Sequence, residues 1–282
     1  MPTMLLNEPA DEVGVTGAHR PSIRGTRHMA AACHYGAAHA AFEILEAGGN
    51  AVDAGVAGGI ALGVLQCDLV NVAGVAPIIL YDAASQRVHT ISGLGTWPRL
   101  ADAEVFRRDH GGKIPAGLLR TVVPAAPDAW ITALKRFGTM SFGEVAKAAT
   151  RFARDGFPMY PMLADMIALH EADYRRWPSN AAVFLPGGKP PRVGDVFVQA
   201  DLGRTLQYMA DEENAAAARG REAGLAAARD AFYRGDIAAA IVGFHRENGG
   251  WMREDDLAGF HAEIEEPVKT SFAGIDVYAC GP

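Results

Sequence analysis

The sequence predicts a mixed α/β fold, a sheet flanked by helices, on three observations. Two apolar helical runs are joined by Gly48-Gly49-Asn50, two strand-like runs return on each other through Asp82-Ala83-Ala84-Ser85, and a largely helical stretch follows from Pro127 to about Met209. Helices with an apolar face and a β-hairpin each have to bury that face against another layer, so the two kinds of element together require mixed layers around one core. At 282 residues and 49% hydrophobic, the chain can bury a sizeable core. Residues 28–282 read as a single domain or part of one.

Residues 1–27 mix Pro, Gly, Arg and acids without periodicity and read as an N-terminal arm. Met29 to Cys33 is a candidate strand of small residues. Next, Ala40, Ala41, Ile44 and Leu45 recur at helical spacing. Gly48 and Gly49 can take the positive φ that ends a helix, and Asn50 is a natural N-cap for the next one. That helix, Ala51 to Leu65, is nearly all Ala, Val, Gly, Ile and Leu, and a helix apolar on every side must be buried. On its residues alone this corner is a core hairpin without chemistry. Val75 to Tyr81 and Arg87 to Ile91 make the β-hairpin. Farther on, Leu163, Met166, Ile167 and His170 share one helical face, and Leu202, Leu206 and Met209 another. Glu212 to Ala231, Ala-rich with interspersed arginines and acids, reads as a solvated helix, and Ile275 to Ala279 as a strand.

A net charge of −7 argues against nucleic acid or an anionic membrane as the main partner. The longest apolar run, Ala51 to Leu65, is short of the roughly 20 residues that span a bilayer and carries Asp53. Glu8, Asp11 and Glu12 stand where a secretory signal needs an apolar stretch, so a cytoplasmic location is expected. Three widely spaced cysteines, Cys33, Cys67 and Cys280, read as reduced thiols. No metal is expected: His170-Glu171 begins like a zinc-protease helix, but Tyr174 holds the second histidine's place, and His34 and His39 are five residues apart, on different helix faces. Nor is any cofactor, since no G-x-G-x-x-G or phosphate-loop lysine motif is present.

The corner Gly48-Gly49-Asn50-Ala51-Val52-Asp53-Ala54 closely resembles one near the start of gamma-glutamyltransferases, members of the N-terminal nucleophile hydrolase superfamily. Further matches follow in the same order: Gly138-Thr139-Met140, Phe152-Ala153-Arg154-Asp155-Gly156-Phe157, Gly194-Asp195, Val198-Gln199-Ala200-Asp201-Leu202, Phe232-Tyr233-Arg234-Gly235, Asn248-Gly249-Gly250, Asp255-Asp256-Leu257-Ala258 and Pro267-Val268. The resemblance runs from about His28 to the last residue. It implies part of a four-layer αββα sandwich and an amide hydrolase or acyltransferase. Such enzymes cut their own precursor to expose a Thr whose α-amine is the base for its own hydroxyl. That Thr lies beyond the strand matching Ile275 to Ala279, so the resemblance implies a large-subunit portion with no catalytic residue in this chain. Its partners would be the C-terminal, small-subunit portion of the same precursor and a small-molecule amide or γ-glutamyl substrate; a homo-oligomer is left open. Because the family's sheets are built from both subunits, this chain alone is expected to expose apolar sheet surface and an unpaired edge near Val277. The alternative is a non-catalytic fragment that at best binds a partner.

Two departures bear on substrate. In gamma-glutamyltransferases an Arg in an Arg-Glu-x-x-Pro segment pairs bidentately with the α-carboxylate of the γ-glutamyl group. The matching segment here is Ile91-Ser92-Gly93-Leu94-Gly95-Thr96-Trp97-Pro98, with Leu94 in that Arg's place. Arg99, just after Pro98, is the candidate to supply a cation from another angle, against its plain reading as a surface arginine. The family's glycine run is also altered, to Asn71-Val72-Ala73-Gly74-Val75-Ala76-Pro77, which argues against a backbone anion cradle. Both departures look like amidohydrolase-type relatives such as oxamate amidohydrolases and cephalosporin acylases.

Overall fold

A computed structural model describes residues 23–281, so most of the 1–27 arm lies outside the described residues. The helical corner forms as its residues dictate. His34 caps α1 (Tyr35–Glu46), its Nδ1 accepting the Gly36 N–H at 3.0 Å. Gly48, at φ 95°, turns the chain, and Asn50 caps α2 (Ala51–Leu65) by accepting from Val52 and Asp53 N–H while Asp53 Oδ2 accepts Asn50 N–H at 2.9 Å. Ile60, Ala61, Val64 and Leu65 are fully buried. The expectation of burial on every side is corrected on one flank, where Ala51 and Gly55 are exposed.

The hairpin is β1 (Ile78–Asp82) and β2 (Arg87–Ile91), antiparallel with Ile78 opposite Ile91. β1 starts three residues later than expected because Pro77 has no N–H to offer a ladder; Ala76 N–H instead reaches Gly93 O at 2.8 Å. Met29 to Cys33 is not a strand: it pairs with no ladder among the described residues.

The helices then run α3 (Ala103–Asp109), α4 (Ala126–Phe137) and α5 (Phe142–Asp155). After the short strand β3 (Phe157–Pro158) come α6 (Pro161–Leu169), α7 (Glu171–Arg175) and α8 (Pro178–Phe184); β4 (Val196–Phe197) pairs back on β3. Leu163 and Ile167 are buried as expected, whereas His170 is an exposed junction between α6 and α7.

The solvated helix expected over Glu212 to Ala231 is instead two helices, α9 (Ala200–Ala216) and α10 (Arg221–Tyr233), parted at Gly220 with φ 103°. Their charges are partly internal. Glu213, 4% exposed, accepts Phe142 and Gly143 N–H at 2.7 Å each and so caps the positive end of α5. Arg229 pairs with buried Asp128 of α4, whose other oxygen accepts Ala262 N–H at 3.1 Å. Small side chains let α9 pack closely on both neighbours: Gly143 of α5 faces Ala210, Gly203 faces the Arg154 backbone, and Gly224 of α10 faces Glu213.

The chain closes with α11 (Asp236–Glu247), α12 (Glu254–Ala258), β5 (Ile264–Glu265) and the hairpin β6 (Val268–Phe272) with β7 (Ile275–Ala279). The main sheet has the order β1-β2-β5, which leaves one edge of β1 open. Beside it, α2, β1 and Trp130 enclose an apolar groove of about 540 Å³ that includes Val52, Gly55 and Gly59. Ile79 and Tyr81 are 46% and 62% exposed, and every residue of β6 and β7 is exposed. Among the described residues no helix is long and apolar enough to cross a membrane.

Candidate functional site

The two residues singled out in the sequence, Leu94 and Arg99, sit on one stitched loop between β2 and α3. Ser92 N–H donates to Glu263 O at 2.8 Å, Gly93 O accepts Ala76 N–H, and Thr96 O accepts Val123 N–H at 2.8 Å. Both glycines are required by geometry. A Cβ on Gly93 would stand 2.1 Å from Ala76 O; Gly95 has φ 75°, and a Cβ there would stand 2.3 Å from Val123 O. The loop thus presents Leu94, 41% exposed, on a fixed backbone.

Arg99 is held at the far end. Its backbone N–H donates to Asp256 Oδ1 at 3.0 Å and its Nε lies 3.4 Å from the same oxygen, with the guanidinium 4.0 Å from Asp255. Asp256, its side chain 3% exposed, also accepts Arg253 N–H at 2.9 Å and thereby closes the first turn of α12. Arg99 is therefore engaged with the two acids of α12. Asp256 as the tie was not apparent from sequence: Asp-Asp-Leu-Ala signals a helix start, but nothing local points to a partner at Arg99.

The altered segment Asn71 to Pro77 has structural uses for its backbone. Gly74 N–H donates to Asn71 O, Gly74 O accepts Ala125 and Ala126 N–H at the start of α4, and Ala76 N–H is bound to Gly93. An aromatic group adjoins the loop, also without a local sequence signal. Phe106 of α3 lies 6.0 Å from Trp97 and 5.2 Å from Trp251, ring centre to ring centre.

The Gly-Gly-Asn-Ala-Val-Asp corner is architectural. Asp53, fully buried, accepts Thr139 N–H at 2.9 Å, Thr139 Oγ1 at 2.7 Å and Met140 N–H at 3.1 Å, which joins α2 to the Gly138-Thr139-Met140 turn. Two motifs far apart in sequence are thus one hydrogen-bonded unit. Among the described residues no three His, Cys, Asp or Glu side chains converge as metal ligands. His34 serves as a cap and His39 pairs with Glu43 at 3.0 Å. The three cysteines are free thiols, and burial pushes the Cys67 thiol up to about 12.

Comparison with known proteins shows the family and the fold. The family model described as gamma-glutamyltranspeptidase matches residues 37–282. Acylase ACY 1 proenzyme of Pseudomonas sp. (strain SE83) is 32% identical over 97% of this chain and 48% of its own length. The crystal structure of Helicobacter pylori gamma-glutamyltranspeptidase superposes with TM-score 0.82 and 25% identity, over 93% of this chain and 72% of that one. That of cephalosporin acylase from Bacillus halodurans gives TM-score 0.76 and 27% identity, over 95% of this chain and 49% of that one. The chain spans about half the length of the curated relatives it matches.

Proposed function

The chain belongs to the gamma-glutamyltranspeptidase family, and from that membership we propose that it is the large-subunit portion of an amide hydrolase or acyltransferase acting on small or apolar acyl amides. The nucleophile is a Thr freed by self-cleavage of the complete protein, outside these 282 residues. Its α-amine takes the proton of its own hydroxyl as the oxygen attacks the amide carbon and passes it to the leaving amine as the C–N bond breaks; water or an acceptor amine, losing its proton to the α-amine, then takes the acyl group, and the Thr oxygen leaves reprotonated. The C-terminal portion is the partner. It covers what this chain leaves open: the β1 edge, the groove against Trp130, and the β6–β7 hairpin with Phe272 77% and Ile275 55% exposed.

What supports the substrate reading is Leu94, presented by a rigid loop in the segment that resembles the Arg-Glu-x-x-Pro stretch of gamma-glutamyltransferases, with Leu94 matched to its Arg. A substrate carboxylate facing Leu94 would lose water without gaining a partner. Arg99, the candidate to supply a cation from another angle, has its guanidinium beside Asp255 and Asp256, which compete with a substrate carboxylate for it. A missing desolvated charge pair weakens recognition by about 2–5 kcal/mol. The complete enzyme should therefore hydrolyse γ-glutamyl-p-nitroanilide at least about 30-fold less efficiently than an acyl-p-nitroanilide with an apolar acyl group of similar size. Leu94→Arg should narrow that gap from the γ-glutamyl side. Efficient wild-type γ-glutamyl turnover would overturn the reading.

A further inference from the structure

Between the pinned ends of the candidate loop the chain makes a long excursion that is scarcely attached to the body. Thr96 O and Val123 N–H close its base at 2.8 Å. From Arg99 to Val122 no residue is buried, α3 included. Beyond Arg99, the hydrogen bonds of this stretch among the described residues are made within it or to Pro98: Gly112 N–H to Phe106 O at 2.8 Å, Lys113 N–H to His110 O, Thr121 Oγ1 to Leu118 O and Arg120 Nε to Pro115 O. A seven-residue helix is too short to hold itself without packing. Gly111, Gly112 and Gly117, all at positive φ, stand in open space where a hinge meets no obstruction. One ring docks the excursion: Phe106, set against Trp97 of the candidate loop and Trp251 of the α11–α12 connection.

We propose that Leu100 to Val122 is a strap that opens as a unit, latched by Phe106 between Trp97 and Trp251, and that its opening frees the indole faces that Phe106 covers, beside the already exposed Leu94. The device goes beyond the amidase reading and does not rest on it. Opening breaks no hydrogen bond to the body past Arg99, so it is a local event well below global unfolding. With Phe106 seated, one face of each indole is covered; the open strap frees those faces beside Leu94 and Leu100, which are exposed already.

Hydrogen exchange and trypsin on the full-length protein test it. Backbone amides of Leu100 to Val122 should exchange at least about 100-fold faster than those of α2 and α4. Trypsin should cut first at Arg107, Arg108, Lys113 or Arg120. Phe106→Ala should speed those cuts about tenfold while exchange in α2 and α4 stays unchanged. Phe106→Leu, which keeps bulk but not the ring, should fall between. Strap amides protected as well as those of α4, or a Phe106→Ala protein cut no faster than wild type, would overturn the proposal. So would faster exchange in α2 and α4, which would make Phe106 part of the global core rather than a latch.

Discussion

Replacing Asp53 with Asn tests whether the shared Gly-Gly-Asn-Ala-Val-Asp corner works as a structural joint. In the native protein Oδ2 accepts Asn50 N–H at 2.9 Å, Thr139 Oγ1 at 2.7 Å and Thr139 N–H at 3.1 Å, while Oδ1 accepts Thr139 N–H at 2.9 Å and Met140 N–H at 3.1 Å. An Asn amide keeps one acceptor oxygen and puts an NH2 in the other place. If the oxygen stays on the Thr139 and Met140 amides, Asn50 N–H faces a donor and the capping box of α2 is broken. Each buried donor left unpaired costs about 1–3 kcal/mol, and loss of the carboxylate's charge weakens the contacts that survive. With one donor orphaned and two contacts weakened, the expected loss is about 2–4 kcal/mol, or roughly 5–15 °C in unfolding temperature for a domain of this size. Urea unfolding followed by circular dichroism should show a lower midpoint with an unchanged slope, and Asp53→Ala should lose more. An Asp53→Asn protein within about 0.5 kcal/mol of wild type would refute the joint.

Two further consequences concern stability. Arg229→Ala leaves the Asp128 carboxylate buried without its guanidinium, so it should destabilise by about 3–5 kcal/mol, and Arg229→Lys should recover little because Lys cannot bond Asp128 and the Phe260 carbonyl together; thermal unfolding of both variants checks it. Burial holds the rings of His34 and His245 below the usual value of 6.5, helped at His245 by the nearby Arg253 charge. Below that value the unfolded chain binds protons that the native chain does not, so stability is full above about pH 6.5 and falls as the pH drops through it. Urea midpoints at pH 7.5 and 5.0 should differ in that direction, and His34→Asn, which keeps an N-cap, should shrink the difference.

Much of the architecture was legible because local chemistry and tertiary packing agree. The Asn50 cap, the glycine turn before it and the Asp82 to Ser85 turn are local devices, and Asp82 does accept Ala84 N–H at 3.0 Å. Elements failed where the deciding partner is distant. Met29 to Cys33 has strand-like residues but no neighbouring strand, and Glu213 and Arg229 look solvated until α5 and Asp128 are placed beside them. The same holds at the candidate site. Leu94 was identified by its place in a resembling segment, but the hold of Asp256 on Arg99 spans 157 residues, and the Trp97–Phe106–Trp251 contact joins three separate segments. No spacing rule encodes such contacts.

The measurement that bears most directly on the proposed function is the intact mass of the complete protein expressed from its gene, with N-terminal sequencing of any product. Self-cleavage should yield two polypeptides that remain associated, the smaller beginning with Thr, with amide hydrolysis appearing as the precursor disappears. A precursor that stays whole and hydrolyses no amide would contradict the account.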